Sequence, residues 1–259
     1  MTRYIFIAAF IGLACLGSCK KTFKADAAYR PADSSVAYLK IIDASPFFRQ
    51  ITGNQDTFNV YINGHKVTAT GLSYGGSFPG TVTNTYLTVP PGPQEIRLSV
   101  PGVVDVDSVT IVTLHETMLA GKHYTLLLTD SLLSASRDSA RIFVQDYYTP
   151  ALPGYINFRF IHAVTSDTPG LTVDLFSYAR NANILTKIKP DSVSSFQTLG
   201  INLGVADTLY VRRSGTTTTL AKMLFAPPPP FSQQTYTVYY AGNDTLKGKK
   251  APALAYYTH

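Results

Sequence analysis

The residues able to carry chemistry are few and far apart. Five histidines, His65, His115, His123, His162 and His259, occur without metal-ligand spacing to one another or to an Asp/Glu cluster, and there is no H-E-x-x-H motif. One pairing is worth testing: His162 closes an apolar stretch and Asp174 sits in the next one. An imidazole and a carboxylate brought together there could move a proton, or the carboxylate could simply tie down a strand-terminal histidine. Asp105 and Asp107 stand two apart, on one face if the segment is a strand, and with loop carbonyls could hold Ca²⁺. The alternative is two solvated carboxylates at a hairpin tip. No Gly-x-Ser-x-Gly elbow or Ser-x-x-Lys is present, and the Gly-rich run 71–80 lacks the Gly-Lys-Ser/Thr of a phosphate loop. The expectation is therefore no catalytic residue, no metal site and no cofactor. The 17 Tyr and 14 Phe could stack on sugars, but Trp is absent. In the adjacent pairs Tyr147-Tyr148 and Tyr256-Tyr257, one ring of each should be buried and the other exposed.

The elements that would position these residues form a pattern used twice. The stretch Ala37 to Ser45 is followed by Phe58 to Gly64, and Ile156 to Val164 by Leu171 to Phe176, with Ala44 matching Ala163 and Val60 matching Leu175. Tyr124-Thr125-Leu126 answers Tyr236-Thr237-Val238, and the two Tyr pairs answer each other. An internal repeat of half the chain means one domain in two copies. Charged residues are 15% and Tyr and Thr are abundant, which favours strands. Short apolar runs between turn signals such as Asn63-Gly64 and Pro90-Pro91-Gly92-Pro93 predict an all-β chain. The expected fold is two tandem immunoglobulin-like antiparallel β-sandwiches, residues 36–149 and 150–259. The short join Pro150 to Gly154 should hold them close.

The first residues are of another kind. A positive start at Arg3, an apolar run from Tyr4 to Leu16 and small residues before Cys19 have the layout of an export signal, with too short a run to span a bilayer comfortably. Leu16-Gly17-Ser18-Cys19 resembles the lipobox of bacterial lipoproteins. That resemblance implies a signal peptide over 1–18, cleavage before Cys19, and acylation of Cys19. Residues 19–35 then read as a polar, lipidated tether. The resemblance further implies attachment to the outer membrane, on the periplasmic face or, alternatively, at the cell surface. Residues 36–149 carry seven Lys/Arg against nine Asp/Glu, residues 150–259 ten against five. An anionic partner for the second half is one reading, but the scattered basic residues match no nucleic-acid module, and nucleic acid is not an expected partner.

Ile42-Asp43-Ala44-Ser45-Pro46, Val60-Tyr61-Ile62-Asn63-Gly64, Tyr86-Leu87-Thr88-Val89-Pro90-Pro91-Gly92 and Ala120-Gly121-Lys122-His123-Tyr124-Thr125-Leu126 together resemble the domain of unknown function 4397 family. The family's usual His is Asp43 here and its usual Asp is Asn59; in the second half the same positions are His162 and Asp174. Six triplets of Asp, then Ser or Thr, then Val, Leu or Ala place a hydroxyl at Ser108, Ser131, Ser139, Ser192, Thr208 and Thr245. They resemble the O-glycosylation acceptors of some Gram-negative envelope proteins; ordinary turn chemistry is the alternative. The expected role is a non-catalytic envelope lipoprotein acting as an interaction or adhesion module. Its partners would be the membrane, through the anchor, and an unidentified envelope protein or glycan; a glycan-binding or glycan-processing lipoprotein is the second reading.

Overall fold

A computed structural model describes residues 34–46, 57–80, 85–100, 109–129, 141–164, 171–200, 206–226 and 233–259, all within one compact unit that ends at His259. The leader, Cys19, residues 19–33 of the tether, Asp105, Asp107, Ser108, Ser131 and Ser139 lie outside the described residues. The first half contributes β1 (Ala37–Asp43), β2 (Thr57–Ile62), β3 (His65–Lys66), β4 (Leu72–Ser73), β5 (Ser77–Phe78), β6 (Leu87–Val89), β7 (Gly92–Val100), β8 (Val109–Met118), β9 (His123–Leu128) and β10 (Arg141–Gln145). One sheet has the order β10-β9-β1-β5, with β6 also on β1; the other has β3-β2-β7-β8, with β4 on β2. Leu39, Ile41, Phe58, Val60, Ile96, Leu98 and Leu126, all buried, fill the space between them.

The second half repeats this order. Its strands are β11 (Tyr155–His162), β12 (Val173–Ser177), β13 (Ala182–Ile188), β14 (Ser192–Val193), β15 (Gln197–Gly200), β16 (Asp207–Arg213), β17 (Thr219–Phe225), β18 (Thr235–Ala241) and β19 (Ala253–Thr258). They pair as β19-β18-β11-β14, with β15 also on β11, and as β13-β12-β16-β17. Phe158, Phe160, Val173, Leu175, Val211 and Val238 form the second core. Among the described residues the protein is all-β, with two sandwiches and a single 3-10 turn at Gly248–Lys250.

A third apolar cluster joins the sandwiches through their faces: Ile42, Leu127 and Ile142 of the first meet Ile161, Tyr239 and Tyr257 of the second. The sheets therefore stack four deep, and the two inner ones are covered on both sides. This is why β1, β9, β11 and β18 are buried almost without alternation, whereas β16 alternates. Two-sided burial is the usual setting of parallel pairing. Each inner sheet departs from the expected antiparallel pattern in one pair, β1 with β9 and β11 with β18.

Asn63 and Gly64 both take positive φ (49° and 80°), as a tight hairpin turn requires, and β2 turns directly into β3. The Gly-rich run 71–80, read as loop, carries the two-residue strands β4 and β5. Pairing confirms the alignment of Ala44 with Ala163, since their N–H groups donate to the last carbonyls of β9 and the equivalent of β18, Leu128 and Tyr240. It corrects the matching of the tyrosine pairs. Gln145 stands opposite Tyr124 as Thr258 stands opposite Tyr236, so the partner of Asp146 in the second half is His259, and Tyr256-Tyr257 answer Phe143-Val144. Tyr147 is 70% exposed and Tyr148 half-buried, while Tyr257 is buried and Tyr256 half-buried.

Candidate functional site

Each first inner strand carries one long cationic residue between apolar neighbours: Lys40 between Leu39 and Ile41 in β1, and Arg159 between Phe158 and Phe160 in β11. Side chains alternate along a strand, so Lys40 shares a face with Ile42 and Arg159 with Ile161, and both point into the interface between the sandwiches. Both are almost wholly buried, at 0% and 2% exposure. A charge there is costly unless it is paired and hydrogen-bonded.

The pairing comes from across the interface. Asp146, just after β10, accepts from Arg159 Nη2 at 2.5 Å, from Thr125 Oγ1 at 2.6 Å and from Tyr86 Oη at 2.9 Å. Burial pushes the Asp146 carboxyl pKa up, but the adjoining His259 and Arg159 and these donors outweigh it and hold it below its ordinary value. Arg159 also donates through Nε to Thr237 Oγ1 and through Nη2 to Tyr257 Oη, both at 3.1 Å. His259 closes the network, with Nε2 2.7 Å from Thr237 Oγ1 and Nδ1 2.7 Å from Tyr86 Oη.

One proton arrangement satisfies every group. Neutral His259 protonated on Nδ1 donates to Tyr86, which donates to Asp146; Thr237 donates to Nε2 while accepting from Arg159. The ring environment keeps the imidazole neutral: Tyr148, Phe196 and Tyr257 lie 5.0–5.4 Å away between centroids. Burial lowers the His259 pKa to about 3, against the pull of Asp146. Lys40 Nζ donates to the Thr258 carbonyl at 3.1 Å, over the rings of Tyr86 and Tyr257 at 4.8 and 5.2 Å. Burial lowers its pKa to about 8, with Asp146 opposing. Chemically this is a closed salt-bridge network that bolts two sheets together. Its donors and acceptors face each other, and aromatic rings wall it in.

A family model for a domain of unknown function (DUF4397) matches residues 37–174. The chain belongs to the DUF4397 family. The DUF4397 match takes in the first sandwich, β11 and the start of β12, and so includes Lys40, Asp146 and Arg159. The likeness of the second half to the first is carried by the repeated strand order. No curated protein matches the chain. Among solved structures it is similar to a protein from Bacteroides uniformis ATCC 8492 described provisionally as a cell adhesion protein, at 11% identity, over 86% of this chain and 97% of that one. The TM-score is 0.17, and the likeness carries no argument.

The structure does not join His162 to Asp174. Asp174 lies on β12 in an outer sheet, and its carboxylate accepts from Ser214 Oγ at 2.5 Å, from the N–H groups of Lys187 at 2.8 Å and Gly215 at 3.0 Å, and from Asn183 Nδ2 at 3.4 Å. Burial would raise its pKa, but these donors hold it low. Asp174 thus fixes the β13 irregularity, where Lys187 has φ 56°, and the turn after β16. His162, on β11, stacks on Tyr240 at 5.4 Å, and neither ring nitrogen makes a hydrogen bond of good geometry. Burial lowers its pKa to about 4, against the Lys189 and Ile188 backbone. Asp174→Ala is expected to cost about 2–4 kcal/mol in urea unfolding, because it strands two backbone donors. Asp174→Asn costs less, and the loss adds to that of His162→Ala without coupling.

Among the described residues no three His, Cys, Asp or Glu gather as a metal site would require, and no helix is long and apolar enough to cross a membrane. Of the hydroxyls in Asp-Ser/Thr triplets, Ser192 begins β14 and donates to Lys189 O at 2.5 Å, and Thr208 is half-buried in β16. Thr245 is exposed on a turn and bonds Asn243 Oδ1 at 2.6 Å. Asp207 accepts from Ser177 Oγ at 2.5 Å and from Ala179 N at 2.9 Å, which is turn chemistry.

Proposed function

We propose that the protein is a lipid-anchored, non-catalytic envelope protein, held by acylated Cys19 on the periplasmic face of the outer membrane. Its two sandwiches act there as one stiff interaction or adhesion module for an envelope protein or glycan. The observation that carries this reading is the closure of the network around Asp146. The densest set of titratable groups among the described residues lies between two sheets, with its bonds made to one another, so recognition falls to the outer faces. The leader pattern ending at Leu16-Gly17-Ser18-Cys19 supports the anchor.

The test is phase partition and intact mass of the protein extracted from its membranes. The wild type is expected in the detergent phase with a diacylglyceryl adduct, and Cys19→Ser in the aqueous phase without it. Wild type free of lipid would overturn the anchor. Hydrolysis of envelope glycan that vanishes in Asp146→Asn while the fold persists would overturn the non-catalytic reading.

A further inference from the structure

The outer face of β12, β16 and β17 carries an unusual combination. In β16, Leu209 and Val211 point into the core, leaving Thr208, Tyr210 and Arg212 on the outside. Cross-strand pairing sets Tyr210 between Phe176 and Lys222, and Arg212 beside Asp174. The Arg212 guanidinium carbon lies over the Phe176 ring, 3.6 Å from its centroid, and 5.5 Å from that of Tyr210. Phe176 and Tyr210 meet edge to face at 6.2 Å. Lys222 is exposed, and Leu224 is 63% exposed on the same side of β17.

An arginine next to an aspartate on a sheet would ordinarily pair with it. Here the carboxylate of Asp174 is turned to Ser214, Gly215 and Lys187, and Arg212 Nε is buried without a hydrogen-bond partner. Stacking therefore fixes a planar guanidinium whose natural counter-ion is engaged elsewhere; with Nε buried, a carboxylate from solvent would be met in two parallel bonds by the Nη groups. The surrounding charge favours an anion. Residues 171–226 hold six Lys/Arg against three Asp, and Asp207, like Asp174, is engaged by local donors.

We propose that this face binds an acidic polysaccharide, its carboxylates held by Arg212 and Lys222 and its sugar rings lying on Tyr210 and Leu224. The proposal deepens the interaction-module reading and rests on it. A peptide would add through its backbone along the edge strand β17, whereas Phe176, Tyr210 and Arg212 lie on the face of the inner strands β12 and β16, the kind of flat aromatic surface on which a polysaccharide ribbon lies. The first sandwich supplies a contrast. Arg97 stacks on Tyr61 at 4.1 Å, but in the place that Tyr210 takes opposite Phe176, with Ser99 standing where Arg212 does; Glu95 shares the strand face of Arg97, and Arg97 Nη1 donates to Thr110 Oγ1 at 3.5 Å.

The experiment is calorimetric titration of the full chain in detergent micelles with polygalacturonate, with dextran and poly-glutamate as comparison probes. Polygalacturonate is expected to bind, more weakly at high salt, and dextran not to bind. Arg212→Gln should weaken binding about tenfold or more and Lys222→Gln by a smaller factor, with Arg97→Gln unchanged. Absence of binding, equal binding by all variants, or poly-glutamate bound as tightly would overturn the proposal. A chain that is acylated but ignores polygalacturonate sinks only this inference; one that binds it without being acylated sinks only the anchor.

Discussion

Asp146→Ala is expected to cost about 3–5 kcal/mol, the largest loss of any single substitution in the interface, because it leaves the Arg159 guanidinium buried against Phe196 without its carboxylate. The loss comes from stranding a charge, not from the worth of the bond. Two consequences separate these. Asp146→Leu combined with Arg159→Met should recover part of the stability, since apolar side chains replace the buried pair at little net cost while the Thr125 and Tyr86 hydroxyls lose their acceptor. Lys40→Met should be neutral or stabilising at neutral pH, because burial already disfavours its charge and Asp146 keeps its partner in Arg159. Urea unfolding of the full chain measures all three. Equal losses for Asp146→Ala and the double variant would show that the orphaned cation is not the main cost, and that the bonds Asp146 accepts from Arg159, Thr125 and Tyr86 hold the interface.

Much of the architecture was legible because it depends on local patterns. Asn63-Gly64 needs two positive φ values and makes its turn wherever it stands, and the Ala44 and Ala163 landmarks aligned the two halves correctly. The antiparallel expectation failed at β1 and β11 because their parallel partners, β9 and β18, are distant in sequence, and no short-range pattern encodes such a pairing. The tyrosine pairs misled for a related reason. Residue type matched, but the register fixed by Gln145 and Thr258 places Asp146 opposite His259, so two unlike residues occupy equivalent places. The site had one sequence signal that went unused. A single basic residue stands four positions before each landmark alanine, Lys40 and Arg159, inside strands otherwise fit for the core. Asp146 had none, since a carboxylate after a strand looks like any solvated turn. His162 and Asp174 looked like a pair because they are close in sequence, but they belong to strands of different sheets.

Stability should fall as the solution is acidified well before the carboxylates titrate. His259 and His162 have folded pKa values of about 3 and about 4 against an ordinary 6.5, both because burial penalises the imidazolium. His123 is shifted the same way by burial, with Asp146 opposing and Lys40 assisting. Below pH 6.5 the unfolded chain takes up protons that the folded chain refuses, so the unfolded state gains. A group with a depressed folded pKa contributes stability that is full above its unfolded value and is lost as the pH falls toward its folded one. Between pH 6.5 and 4, His259 and His162 each contribute a slope of up to about 1.4 kcal/mol per pH unit. A total stability of about 5–15 kcal/mol cannot withstand that for long. The charged groups around His259, namely Asp146, Arg159 and Lys40, do not reverse the sign, since Asp146 stays ionised and bound to Arg159 throughout this range. Urea midpoints measured from neutral pH down to about 5 should therefore decline steadily. His259→Gln and His162→Phe should each flatten the decline by its own share, whatever they cost at neutral pH. A wild-type midpoint that stays level across this interval would mean that water or a counter-charge reaches the imidazoles, and the sealed surroundings of His259 in the interface and of His162 in the second sandwich would have to be abandoned.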